Sequence, residues 1–148
     1  MNDPRPSAEA AEAGSYPGER LGLPAQGPGA VAGWGRRILA LVVDWVASTL
    51  VAIGFTGVGG WLDGTVVSES LPLVMFLLEA TFLTALAGGS FGQLVCRLVI
   101  VRVDGKPVTL LQALVRTVLI CLVIPPLVFN RDQRGLHDLA AGTVALRR

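Results

Sequence analysis

The chain has 148 residues, of which 52% are hydrophobic and only 16% charged. A water-soluble domain carries roughly a quarter charged residues, so this composition excludes an ordinary soluble fold and calls for lipid to cover the excess apolar surface. The formal net charge of +1, with no dense basic tract, excludes a nucleic-acid partner.

Residues 1–33 hold five of the nine prolines together with Gly, Ala, Ser and mixed charges, with no apolar period of 2 or 3.6. Such a segment cannot bury enough surface to order itself and is expected to be a disordered tail. It has no basic n-region leading into a short apolar run, so it does not read as a signal peptide. Arg36-Arg37 does not make a twin-arginine export signal either, because the run that follows is too long and contains Asp44.

From Ile38 to Trp61 the one charged residue is Asp44, and about twenty apolar residues suffice to cross a bilayer core. A first spanning helix is predicted at about 36–58, with Trp34 and Trp45 near one end and Trp61 near the other, where indole rings settle among headgroups. A turn with Asp63 and Glu69 and no basic residue follows. A second apolar helix is predicted at about 71–87, with Pro72 in its first turn and Gly88-Gly89-Ser90 at its end. The β-branched run Leu98 to Val103 closes on Asp104-Gly105 and reads as a short strand. Thr109-Leu110-Leu111-Gln112 has the form of a capping box, so a third apolar helix is predicted at about 110–129, kinked or ended by Pro125-Pro126. Residues 136–141 read as a short helix stopped by Gly142, and Thr143 to Leu146 as a strand able to pair with Val99 to Val103. The fold class is therefore an all-α membrane protein with a tail at 1–33, a membrane domain at 34–148 and a short cytoplasmic strand pair.

Arg20, Arg36 and Arg37 flank the first helix at its start and Arg97, Arg102 and Lys106 follow the second. The positive-inside bias thus puts the N-terminus and the second loop in the cytoplasm. A spanning third helix would put Arg131, Arg134, Arg147 and Arg148 outside. A re-entrant third helix, favoured here, lets the two strands meet on one side.

Four ionisable residues fall where they are expensive: Arg37 and Asp44 in the first helix, Glu79 in the second and Arg116 in the third. Arg37 and Asp44 share a helix face about 10 Å apart along the axis, so each is expected to meet another segment, with Asp138 the candidate for Arg37. Glu79 and Arg116 could pair across helices, or Glu79 could stay a neutral, hydrogen-bonded acid and Arg116 could snorkel to the interface. Each pairing has two readings, a cation or proton site and an ion pair that only fixes helix packing. His137-Asp138 has no Ser or Cys nucleophile beside it, and His137 has no ligand at i+3 or i+4. Cys96 and Cys121 lie in apolar surroundings without CxxC spacing. Neither catalysis nor a metal or other cofactor is expected.

Four motifs in order, Arg37-x-x-Ala40-x-x-x-Asp44, Gly89-Ser90-Phe91-Gly92-Gln93 with Val101-Arg102-Val103-Asp104-Gly105, Leu110-Leu111-Gln112-Ala113-Leu114-Val115-Arg116, and Leu136-His137-Asp138-Leu139-Ala140-Ala141-Gly142-Thr143-Val144, resemble the RDD family of bacterial membrane proteins. The resemblance covers roughly 31–146 and makes Arg37, Asp44 and Asp138 the naming residues. It departs at Gln93, where the family usually has a lysine. The resemblance implies a transport-related role, cation/proton exchange having been attributed to some members, and a chain this small would need to oligomerise to build a pathway. The rival expectation is a non-transporting assembly or accessory protein whose partner is another copy or another membrane protein.

Overall fold

The computed structural model describes residues 16–122, 128, 130 and 132–148. Helix α1 runs Trp34–Leu62 and α2 runs Val66–Ala87. Both are long and apolar enough to cross a membrane, and only 22% and 28% of their most apolar windows are buried within the protein. The core helix of a soluble protein would be mostly buried. Here side chains such as Phe55 (75% exposed) and Leu86 (83% exposed) face outward, as lipid-facing residues do.

Both helices are longer than the sequence suggests. Alpha-helical dihedrals in α1 are interrupted at Gly57 (φ 72°, ψ 163°), a conformation that favours glycine, and a last turn then carries it to Leu62. Helix α2 begins five residues before the expected 71, because the Thr65 hydroxyl accepts from the Ser68 amide and caps the new start. Pro72 therefore sits inside the helix rather than in its first turn. Asp63, Gly64 and Thr65 make the connection, so α1 and α2 form an antiparallel hairpin.

A short helix that the sequence reading passed over, α3 (Phe91–Val95), follows Gly88 and is started by a capping box between Ser90 and Gln93. Strand β1 (Leu98–Arg102) comes next, then α4 (Leu110–Cys121), α5 (Leu136–Ala141) and β2 (Thr143–Arg147). The strands pair antiparallel from Leu98↔Arg147 to Arg102↔Thr143, as the β-branched runs indicated. The Thr109–Gln112 capping box starts α4, and Gly142 (φ 65°) ends α5. The kink or stop expected at Pro125-Pro126 lies outside the described residues. As described, α4 has twelve residues and rises about 18 Å, short of the roughly 30 Å of a hydrocarbon core. The Gln112 amide donates to the Ala141 carbonyl at 3.1 Å, and β1 pairs with β2. The chain thus leaves by α4 and returns by α5 to the same end of the hairpin.

The described part of the predicted tail is not free at its C-terminal end. Val31 bridges Leu146, the Ala32 amide donates to Ala145, and the Arg147 amide donates to Ala30, so residues 29–32 add a third edge to the sheet. An unpaired β2 edge offers main-chain groups that outweigh the weak hydrophobicity of this segment. The domain therefore takes in residues 29–33. Ala32, Ala40, Leu98, Ile100, Val108, Ala113 and Ala145 form the apolar core, gathered where the sheet meets the start of α1. The polar site is built around that end.

Candidate functional site

Asp138, in the first turn of α5, is completely buried. Arg37 Nη1 donates to one of its oxygens at 2.9 Å, while Arg116 Nε at 2.9 Å and the Thr143 hydroxyl at 3.1 Å donate to the other. Arg37 also donates to the carbonyls of Ala32 (3.0 Å) and Ala145 (3.4 Å). One carboxylate thus ties together α1, α4, α5 and β2. Burial by itself would raise the Asp138 pKa; the charges of Arg116, His137 and Arg37 more than offset it and hold the group at about 2.

Asp44 lies ten residues into α1, about 15 Å from Trp34, and is 2% exposed. It receives the Ser90 hydroxyl at 2.6 Å and the Gly92 amide. Glu79, in mid-α2, receives the Phe91 amide at 2.5 Å. The first amides of a helix lack partners within it, and here two carboxylates from the two long helices supply them. The fit depends on Gly92: a Cβ there would fall on the Ala40 carbonyl oxygen and lie 2.9 Å from the Asp44 carboxyl carbon. Gln93, standing where the family resemblance implies lysine, closes the capping box by accepting from the Ser90 amide at 3.1 Å.

Between the two clusters is a small cavity of about 50 Å³ whose polar lining includes Arg37, Asp44, Ser90, Arg116 and His137. It has room for a few water molecules or a small ion and none for an organic solute. Arg37 and Arg116 carry two positive charges against the one on Asp138.

The four predicted intramembrane residues therefore divide. Arg37 meets Asp138, as expected for a partner from another segment, and does not turn back to Asp44. The suggested Glu79–Arg116 pair does not form: Arg116 is taken by Asp138 and Glu79 by α3. Nor does Arg116 snorkel outward, being 3% exposed, because a buried carboxylate stabilises it better than an interface it would have to reach past α5. Sequence reasoning missed Ser90, Gly92 and Thr143 as donors. Ser90-x-x-Gln93 repeats the capping pattern of Thr109-x-x-Gln112 and was the signal available.

The family model described as RDD family matches residues 31–142, from the strand edge at Val31 to the stop of α5. No curated protein matches the chain. No solved structure matches it.

Proposed function

This chain belongs to the RDD family, and on that premise we propose that it is a multi-pass protein of the bacterial cell membrane that works as a non-transporting assembly or accessory module, without catalysing a reaction. The observation that supports this reading is the saturation of two buried acids, Asp138 and Asp44, whereas Glu79 keeps one buried oxygen without a hydrogen-bond partner. Both oxygens of Asp138 and both of Asp44 accept from donors fixed on other segments, so the charges hold α3, α5 and the strands onto the helix hairpin. Buried charges that are fully hydrogen-bonded serve to specify one arrangement of elements. Such a module acts through a partner in the bilayer, a second copy or another membrane protein.

The cavity favours a second reading, movement of protons or small cations by an oligomer with Asp44 as the acid that binds them. Proteoliposomes carrying a pH-sensitive dye decide between them. Under the first reading, wild type and Asp44→Asn both leak protons no faster than empty vesicles after a sodium or potassium jump. Asp44→Asn loses about 1–2 kcal/mol of stability in detergent, because an amide can still accept from Gly92 but without charge assistance. Cation-dependent flux in wild type that vanishes in a folded Asp44→Asn variant would establish the transport reading instead.

The charge bias supports a cytoplasmic position for the sheet end of the hairpin. Arg36, Arg97, Arg102, Lys106 and Arg148 gather there, whereas the α1–α2 turn carries Asp63 and no basic residue. In a background lacking Cys96 and Cys121, a cysteine at Asp63 should react with an impermeant maleimide in intact cells and one at Arg148 only after lysis. The opposite pattern would invert the topology.

A further inference from the structure

On the flank where α2 meets β1 there is a groove of about 640 Å³, lined by Leu23, Leu86, Val101, Val103, Arg102 and Lys106 among others. It lies at the C-terminal end of α2, next to Gly88, where a spanning helix leaves the hydrocarbon. Leu86, 83% exposed, carries the lipid-facing surface of α2 into the groove. The far rim is cationic. The Arg102 guanidinium is held by Asp104 and by Gln112 at 3.2 Å, whereas the Lys106 ammonium makes no hydrogen bond or ion pair among the described residues. Arg102 and Lys106 outweigh the one Asp104 carboxylate between them, so apolar wall, then membrane boundary, then a rim with a net positive charge is the order in which a phospholipid presents acyl chain, glycerol and phosphate.

We propose that this groove binds an anionic phospholipid, its acyl chain along Leu86 and its headgroup phosphate at Lys106 beside Arg102. The proposal rests on membrane placement alone and holds under either functional reading. A zwitterionic lipid offers the same phosphate, but its own ammonium group cancels the charge, so the cationic rim should select against it. The walls require the acyl chain, which separates a lipid from a free phosphate ester.

The test is native mass spectrometry of the full-length protein, released from detergent after titration with phosphatidylglycerol or phosphatidylcholine. Phosphatidylglycerol should be retained at least about fivefold more than phosphatidylcholine, the effect of roughly one basic residue at a membrane surface. Lys106→Gln should remove that preference, and since the ammonium makes no hydrogen bond or close ion pair among the described residues and acts only through its charge on the exposed Asp104, the melting temperature in lipid-free detergent should stay within a degree or two of wild type. Arg36→Gln, a control outside the groove, should leave the preference intact. Glycerol 3-phosphate at the same concentration should not displace the lipid. Equal retention of the two lipids, an unchanged preference in Lys106→Gln, an equal loss in Arg36→Gln, or displacement by glycerol phosphate would each overturn the proposal.

Discussion

Asp138→Asn is expected to abolish most of the folded, membrane-inserted protein. The substitution keeps the shape of the side chain but leaves Arg37 and Arg116 facing a neutral amide, and breaking a buried ion pair by removing one partner costs about 3–5 kcal/mol. That is comparable with a large part of the total stability of a small protein. The wild-type protein should show the same dependence through pH. Because the folded pKa of Asp138, about 2, lies below its ordinary 3.8, the stabilisation is fully present above about pH 4 and is lost as pH falls toward 2. The melting temperature in detergent should accordingly be level near neutrality and drop steeply below pH 4. A flat acid profile, or an Asp138→Asn variant that melts within a few degrees of wild type, would show that the network does not hold the fold.

Gly92→Ala is the second large effect. A single methyl group there meets the Ala40 carbonyl oxygen, which is fixed in the backbone of α1, and the carboxyl of Asp44. Neither can retreat without cost, so α3 must lift from α1. The hydrogen bond that the Gly92 N–H donates to Asp44 then breaks, and those that Ser90 and Phe91 donate to Asp44 and Glu79 weaken with it. Overpacking costs about 1–3 kcal/mol, and each charge-assisted bond lost adds roughly 1.5–3 more. Gly59→Ala in α1, where a Cβ meets nothing within 4 Å, is the matched control and should be neutral or slightly stabilising. Fluorescence-detected size exclusion and detergent melting would separate the two. A Gly92→Ala protein as stable as Gly59→Ala would mean that α3 is not locked onto α1 as described.

Much of this molecule was legible in its sequence, wherever the cause lies within a few residues. Hydropathy over about twenty residues located both long helices, because lipid exposure demands apolar side chains on every side. Thr109 with Gln112 marked the start of α4, and Gly142 the end of α5, because caps are satisfied by neighbours in the chain. The β-branched runs gave β1 and β2 and their pairing, and the rise between Arg37 and Asp44 sent each to a partner on another segment, with the family resemblance offering Asp138 for Arg37.

Tertiary structure decided what depends on packing between distant segments. Asp44 and Ser90 are 46 residues apart, and Arg37 and Asp138 are 101 apart; the strength of such a bond is fixed by geometry that no local pattern encodes. That is why Arg116 chose Asp138 over Glu79, and why Glu79 went instead to the amide of Phe91. It is also why residues 29–32, whose small side chains bury too little surface to order themselves, are ordered by the open edge of β2. Composition and spacing put the charges in the membrane domain. Which donor each acid accepts was settled only when α3, α5 and the sheet closed over the start of the hairpin, because a buried charge is stable only beside the partner that packing brings to it.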